Sequence, residues 1–483
     1  MENQETRSSY RHILKYTGLF GGIQGLTILI GLVRNKLVAV LLGPSGVGLI
    51  SLFNSTISFI SSGTNLGLPT SSVKNISEAY EQQDKERLDS AICQVRTLAF
   101  LTAIFGMAVC AALGPLLNYF SFSWGDHRLH FVSLSPIIAM MAITGGETSI
   151  LKGIRKLRAL ATVTIYNVIG ALVTSVPIYY YYRISGVVPS LVLAAIIQML
   201  LTIGYSYRLH PPKIKISKNT LLQSKGMVVL GVAFMISGIF TTGADFAIRS
   251  FLSNYASLDE LGLYNAGFML TTVYAGMIFT AMETDYYPRL SALNNDIEGR
   301  TLAVNHQVEV TLLLISPMLV LFTIFLPVII PLLYTNKFLP VVGMSQITIL
   351  ALYLRAMKLP VAYLTLAKGD SLAFLALEAY SAAIMVLSVV CGYKWLGLDG
   401  IGWGLLATGL IDIIVINTYA RIRYCYKMSV SVVKFACLQL PIGWLTFGVE
   451  RCLSGAVYWT AGGLLSVLSM GISLFLLRSR TKR

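Results

Sequence analysis

Charge is the scarcest commodity in this chain of 483 residues. Asp, Glu, Lys and Arg together make up 12% of it, about half of what soluble globular domains carry. Carboxylates are scarcer still, with 22 Asp and Glu against 37 Lys and Arg and a formal net charge of +15. Cysteine is sparse: Cys93, Cys110, Cys391, Cys425, Cys437 and Cys452 form no CxxC pair. That excludes a disulfide-stapled framework and argues against a thiolate metal site, so these side chains read as small buried apolar groups. The five histidines (His12, His127, His130, His210, His306) lie in or beside loops, with no HExxH among them. GxSxG and GxxxxGK[ST] are also missing. These absences exclude a zinc hydrolase, a nucleophile elbow and an ATP motor of the chain's own. No metal and no bound cofactor is expected, and uphill work would draw on a proton, sodium or substrate gradient.

Apolar residues are what the chain has in abundance. They form 55% of it, and the mean hydropathy is +0.70. A membrane-crossing helix needs about 20 largely apolar residues. Runs of that kind recur at about 16–42, 47–68, 97–119, 131–152, 159–182, 186–207, 227–252, 261–285, 307–334, 342–366, 372–395, 399–420, 431–449 and 455–477. The fold class is therefore an all-α polytopic membrane protein of about 14 transmembrane helices. The N-terminal stretch is polar and lacks a cleavage pattern, so the first run reads as a retained helix.

Basic residues are scattered through short loops rather than gathered in one domain, which argues against a nucleic-acid partner. Outside the runs, 27 lie in the gaps on the side of the termini and five on the other side. That bias puts both termini in the cytoplasm.

Short matches recur at a nearly fixed offset. Gly48-Leu49-Ile50 is echoed by Gly262-Leu263-Tyr264 and Gly186 by Gly400, each 214 residues on; Leu151-Lys152-Gly153 is echoed by Ala367-Lys368-Gly369 at 216. Their order suggests two parallel six-helix lobes, an arrangement typical of alternating-access transporters with a site between lobes. The boundaries read as 1–207 for the first lobe, 208–226 for a cytoplasmic linker, 227–423 for the second lobe, and 424–483 for an extra helix pair with a basic tail.

Charges inside the runs point to function, because intramembrane charge is costly and usually faces a partner or a watery cavity. The cations are Arg34, Lys36, Arg249, Arg355 and Lys358. Arg355 and Lys358 are three apart on one helix and repel each other, so they call for an anion such as a substrate phosphate. Arg34 and Lys36 are about 200° apart around their helix, so at least one is expected in the cavity. Asp245 and Arg249, four apart, share a face and can pair. Asp245, Glu147, Glu283, Asp285 and Glu378 are the candidates for coupling or gating, with Lys152, Arg289 and Lys368 as nearby partners for the last four. Tyr179 to Tyr182 read as an interfacial aromatic belt.

The hairpin Lys36-Leu37-Val38-Ala39-Val40 followed by Gly43-Pro44-Ser45-Gly46-Val47-Gly48-Leu49 resembles the opening of Wzx-type polysaccharide flippases of the multidrug/oligosaccharidyl-lipid/polysaccharide exporter superfamily. Leu151-Lys152-Gly153-Ile154-Arg155, Tyr287-Pro288-Arg289-Leu290-Ser291, Leu332 to Phe338 and Leu366-Ala367-Lys368-Gly369 extend the resemblance over the first twelve runs. It implies two six-helix bundles around a central cavity, with Lys36 in the pattern of the first helix. It also implies movement of an undecaprenyl-pyrophosphate-linked oligosaccharide, such as an O-antigen repeat unit, across the bacterial inner membrane. A polysaccharide polymerase and a chain-length regulator are the expected partners, and a monomer the expected state. The last two runs depart from many members and resemble the extra pair of lipid II flippases, an alternative within the superfamily. A cation-coupled drug exporter would show acidic rather than basic cavity residues. A polymerase or ligase, the enzymatic alternative, would need a large outer loop, and every outer loop here is short.

Overall fold

The computed structural model describes residues 2–122, 125–293 and 296–481; side chains are described from 25 to 479, except at 123–124, 277, 280–285, 288 and 294–295. In chain order the helices are α1 (Glu2–Thr64), α2 (Leu68–Glu81), α3 (Lys85–Ser121), α4 (Arg128–Gly153), α5 (Leu157–Tyr182), α6 (Val187–Leu209), α7 (Lys218–Gln223), α8 (Lys225–Tyr255), α9 (Leu258–Phe268), α10 (Met277–Ala292), α11 (Ile297–Leu333), α12 (Val342–Ala367), α13 (Ser371–Tyr424), α14 (Val430–Cys452) and α15 (Gly455–Thr481). No strand occurs among the described residues.

Ten stretches are long and apolar enough to cross a membrane. Three of them hold two helices each: α1, which breaks at Gly43, the α5–α6 stretch, and α13, which breaks at Gly397. The eighth expected span is α9 and α10, joined through a wide turn at Met269–Tyr274. Fourteen helices therefore match the fourteen apolar runs.

The chain divides into two compact units, Met1–Asp259 and Glu260–Arg483. The first contains α8, the seventh span, which packs against α1, α2 and α3. Gly67 and Gly231 permit that approach, since a Cβ on either would collide with backbone at residues 66–67 or 231. At the loop end of this unit, Leu68 and Ile76 of α2 pack with Leu88, Ile92 and Val95 of α3, Ile150 of α4 and Met227 of α8. In the second unit, α12 is the central helix. It packs on α11, α13 and α14 and is buried along most of its length.

From the ends of α4 and α12 onward the backbone repeats with a register of 214 residues, and at the starts of α3 and α11 with one of 212. After α4, Lys156 N–H donates to Leu151 at 3.0 Å and Leu157 N–H to Arg155 at 2.9 Å; after α12, Asp370 N–H donates to Thr365 at 2.9 Å and Ser371 N–H to Gly369 at 3.0 Å. Arg155 (φ 55) and Gly369 (φ 68) are thus equivalent left-handed positions. This corrects the offset of 216 read from Lys152-Gly153 and Lys368-Gly369. A matching pair of Lys-Gly dipeptides outweighed the turn itself, in which Gly369 stands where the first half has Arg155. Between the fifth and sixth spans, Arg183 has φ 53 and ψ −134; 214 residues on, Gly397 has φ 59 and ψ −137. α3 and α11 are both 37 residues long, each capped by an Asp side chain (Asp84, Asp296) that accepts a backbone N–H three residues later.

Positive φ with strongly negative ψ is easy for glycine and strained for other residues. Gly397→Ala is expected to cost about 1–3 kcal/mol, read as a lower midpoint of thermal unfolding in detergent. An unchanged midpoint would show that the turn relaxes.

Candidate functional site

The first unit holds a cavity of about 690 Å³. Its walls come from one face of each of several helices. Asn54, Ser58, Ser61 and Asn65 lie at helical spacing along the second part of α1, and Met141, Thr144, Thr148 and Lys152 along α4. Residues four, seven and eleven apart share a helix face, so this alignment follows from the sequence once the helices form. α5 adds Asn167, α6 adds Gln198, α8 adds Thr242, and the first part of α1 adds Arg34. Arg34 Nε donates to Ser175 Oγ at 3.3 Å, which fixes the guanidinium beside the cavity wall.

The lining therefore carries two cations, several hydroxyls and amides, and no Asp or Glu. Amides and hydroxyls both donate and accept, which suits a polyol. Arg and Lys without a carboxylate in the same wall suit an anion such as a phosphate. An organic cation would find no opposite charge here.

The second unit places charge differently. Lys358 of α12 forms an ion pair with Asp412 of α13, whose Oδ2 also accepts Ser381 Oγ at 2.7 Å. Glu378 lies within electrostatic reach of both. The anion beside Lys358 is thus a residue of the chain, Asp412, which the sequence reading passed over. The guanidinium of Arg355 lies over the Phe279 ring, 5.1 Å from its centroid. The 214-residue register makes Arg355, Lys358, Ser381 and Asp412 equivalent to Met141, Thr144, Asn167 and Gln198, all four of which line the first unit's cavity.

The remaining sequence candidates divide as follows. Asp245 and Arg249 form the i, i+4 ion pair, with Arg249 only 5% exposed. Lys36 is half-buried, about two turns before the break at Gly43, and does not line the cavity. Glu147 requires a correction: its partner is Arg96 rather than Lys152. Arg96 Nε to Glu147 Oε1 is 2.8 Å, and Ser206 Oγ donates to Oε2 at 2.5 Å. Arg96 also donates to the carbonyls of Pro211 (2.7 Å) and His210 (3.1 Å), and its guanidinium lies 4.7 Å from the centre of the Tyr207 ring. Arg96, counted above among loop cations, is 3% exposed. Glu378 sits by Lys358 and Asp412 rather than by Lys368. The side chains of Glu283 and Asp285 lie outside the described residues. Of the cysteines, only Cys110 is buried, whereas Cys391, Cys425, Cys437 and Cys452 lie on exposed faces. In the tyrosine run Tyr179 turns inward at 0% exposure, and Tyr180, Tyr181 and Tyr182 face outward.

The Arg96–Glu147 pair is a structural clamp that ties α3 and α4 to the end of α6 and the segment after it. Removing one partner of a buried pair strands a charge and costs about 3–5 kcal/mol. Glu147→Ala is expected to destabilise the protein by about that amount. The double change Arg96→Met with Glu147→Leu should be milder, because it removes both charges. Thermal unfolding in detergent compares the three proteins; a double variant no milder than Glu147→Ala would assign the loss to packing.

The match to known proteins follows the same lines. A family model described as polysaccharide biosynthesis protein matches residues 13–294. The lipid III flippase of Escherichia coli (strain K12) is 23% identical over 281 residues, covering 54% of this chain and 63% of that protein. The match therefore spans less than two thirds of that relative. Among solved structures, an inward-facing MATE family multidrug resistance transporter of the MOP superfamily superposes with TM-score 0.70 at 15% identity, over 84% of this chain and 96% of the other. The lipid II flippase MurJ in an inward closed conformation superposes with TM-score 0.70 at 14% identity, over 96% and 100%. The fold is that of this transporter superfamily.

Proposed function

Because the chain belongs to the family of polysaccharide biosynthesis proteins, we propose that it is a flippase for an undecaprenyl-pyrophosphate-linked oligosaccharide. It moves the unit from the cytoplasmic to the outer leaflet of a bacterial inner membrane by alternating access, both of its own termini being cytoplasmic. The observation that carries this reading is the first unit's cavity: Arg34 and Lys152, a wall of hydroxyls and amides, and no carboxylate.

The chemistry divides naturally between the two kinds of wall group. The diphosphate takes charge-assisted hydrogen bonds from Arg34 and Lys152, which are stronger than neutral ones. Lys152 ends α4 at the cytoplasmic side, and Arg34 lies deeper on α1, so the two cations form successive stations for one anion. The sugar ring hydroxyls exchange water for Asn54, Asn65, Asn167 and Gln198. The polyprenyl tail stays in the bilayer. A buried carboxylate in this wall would favour a cation exporter, and the lining has none. Energy comes from a proton or sodium gradient, with the buried Asp412 and the half-buried Glu378 and Asp245 as the carboxylates that such an ion can address. The unit delivered to the outer leaflet, O-antigen or a related repeat, goes on to a polysaccharide polymerase.

Flipping of a fluorescent undecaprenyl-pyrophosphate oligosaccharide in proteoliposomes tests the reading. Arg34→Ala and Lys152→Ala should each slow it about 10- to 100-fold, the size of one lost hydrogen bond to a charged group. Arg34→Lys should retain part of the rate. Full activity in the Arg34→Ala/Lys152→Ala double variant, with accessibility of both leaflets measured, would sink the cavity assignment. Uptake of organic cations with no flipping would replace it with drug export.

A further inference from the structure

In the second unit the last helix pair meets α11 through a carboxyl group that has too few donors. Glu450 lies in the last turn of α14, just past the apolar run 431–449, and Tyr458 lies in the first turn of α15. Tyr458 is 8% exposed and clusters with Val320 and Ile324 of α11 and Ile442 of α14. Its hydroxyl oxygen is 2.5 Å from the Ile324 carbonyl oxygen and 2.7 Å from Glu450 Oε1. Pro327 and Pro331 each remove a backbone N–H from the last turns of α11. The contact from α15 therefore falls where the hydrogen bonding of α11 itself is interrupted.

Counting protons says which form the carboxyl takes. A tyrosine hydroxyl has one proton to give and can accept another. The Ile324 carbonyl and a Glu450 carboxylate are both acceptors only, so Tyr458 can serve one of them and not both. Glu450 Oε2 is in addition buried and receives no hydrogen bond among the described residues. A protonated Glu450 closes the count: its O–H donates to the Tyr458 oxygen, and Tyr458 donates onward to Ile324. The orphaned oxygen is then part of a neutral group, whose burial costs far less than that of a charge. Two further observations point the same way. Glu450 stands at the C-terminal end of α14, where the helix dipole opposes a negative charge. Nor is an uncommitted cation at hand. No charged residue occurs in 310–333 of α11, 342–354 of α12 or 455–477 of α15. On α14 itself, Arg451 is directed to Asp399 of α13 at 2.6 Å and lies 5.5 Å from the centre of the Phe447 ring.

We propose that Glu450 is a proton-binding site: it holds its proton at neutral pH, and the chain from Glu450 through Tyr458 to Ile324 clasps α14 and α15 onto α11. One O–H bond forms or breaks and nothing else changes. The half-buried carboxyl exchanges its proton with water at the α14–α15 turn, on the side that the charge bias assigns to the outer face. Without the proton, a carboxylate competes with the Ile324 carbonyl for a single hydroxyl, and the clasp loosens. The site is separate from Asp412, Glu378 and Asp245 and from the first unit's cavity. It is independent of the flippase reading, since it is read on the protein without substrate.

Infrared spectroscopy and thermal unfolding of the full chain in detergent test it together. At about pH 6 an ordinary glutamate is ionised, so the wild type should show a carboxylic-acid carbonyl band that Glu450→Gln removes. A carboxyl that keeps its proton in the fold, but not in the unfolded chain, withdraws stability as pH rises above the ordinary value of about 4.3. Between about pH 5 and about pH 8 the wild type should therefore lose about 2–4 °C of unfolding midpoint relative to Glu450→Gln, whose amide N–H still donates to Tyr458. Tyr458→Phe takes away the acceptor of the acid proton and should move the band to higher frequency, a readout that stands even if Glu450→Gln does not fold. An acid band absent from the wild type, or present and unmoved by Tyr458→Phe, would overturn the proposal. So would unfolding midpoints of the wild type and Glu450→Gln that run parallel over the whole pH range.

Discussion

Everything in this structure answers to one constraint: hydrocarbon does not tolerate a lone charge. The cost is several kcal/mol for an unpaired ionised side chain at membrane depth, so each charged residue in a span has to be neutralised or wetted. Three pairs show neutralisation. Arg96 with Glu147, Arg249 with Asp245, and Lys358 with Asp412 all bring guanidinium or ammonium against carboxylate. Arg34 and Lys152 follow the other course, lining a cavity that has no carboxylate in its wall. The distinction separates two kinds of cation. Two of the pairs tie one helix to another and Asp245–Arg249 closes within α8, whereas the cations in the cavity are positioned to meet something from outside.

Much of the architecture was legible because apolar length is a direct physical signal. Fourteen runs of membrane-crossing length gave fourteen helices, including those that meet at Gly43 and Gly397 without an intervening loop. The flanking helices were harder to see. α2 and the first turns of α3 and α11 are amphipathic or capped by Asp84 and Asp296, so their apolar content falls below that of a span. The site was half legible. Arg34 stood out as a charge in an apolar run. The polar stripe Asn54, Ser58, Ser61 and Asn65 did not, because small hydroxyl residues are common in membrane helices and can bond their own helix's carbonyls. Arg96 and Asp412 were missed for a different reason. Their partners lie 51 and 54 residues away along the chain, and sequence spacing reports only the pairs within one helix, such as Asp245 and Arg249.

The internal repeat shows how backbone and side-chain signals can disagree. Identical dipeptides suggested that Gly369 matches Gly153, yet the hydrogen bonds and dihedral angles match it to Arg155. A left-handed turn fixes φ and ψ whatever residue occupies it, so geometry keeps a register that substitutions obscure. The arginines at 155 and 183 occupy conformations that the second half assigns to glycine. Each of them makes a contact that a glycine would lack: Arg155 with Glu81, and Arg183 with the carbonyl of Leu41 at 3.0 Å. Each contact ties its turn to a neighbouring helix, Arg155 to the end of α2 and Arg183 to α1.

With the register established, the chemical difference between the halves becomes interpretable. One scaffold presents Met141, Thr144, Asn167 and Gln198 to a cavity; the other carries Arg355, Lys358, Ser381 and Asp412 at the same four positions. A neutral polar wall exchanges water for ligand hydroxyls at little cost, because each partner can both donate and accept. An ion pair cannot do this, since any ligand phosphate that approached Lys358 would compete with a carboxylate already in place. Asp412 is also incompletely satisfied, as its Oδ1 is buried and receives no hydrogen bond. The two copies of one backbone frame thus carry unlike side-chain chemistry at the same four positions. The first copy lines its cavity with hydroxyls, amides and two cations, with no carboxylate in the wall. The second closes Lys358 and Asp412 on one another, with Ser381 donating to the same carboxylate.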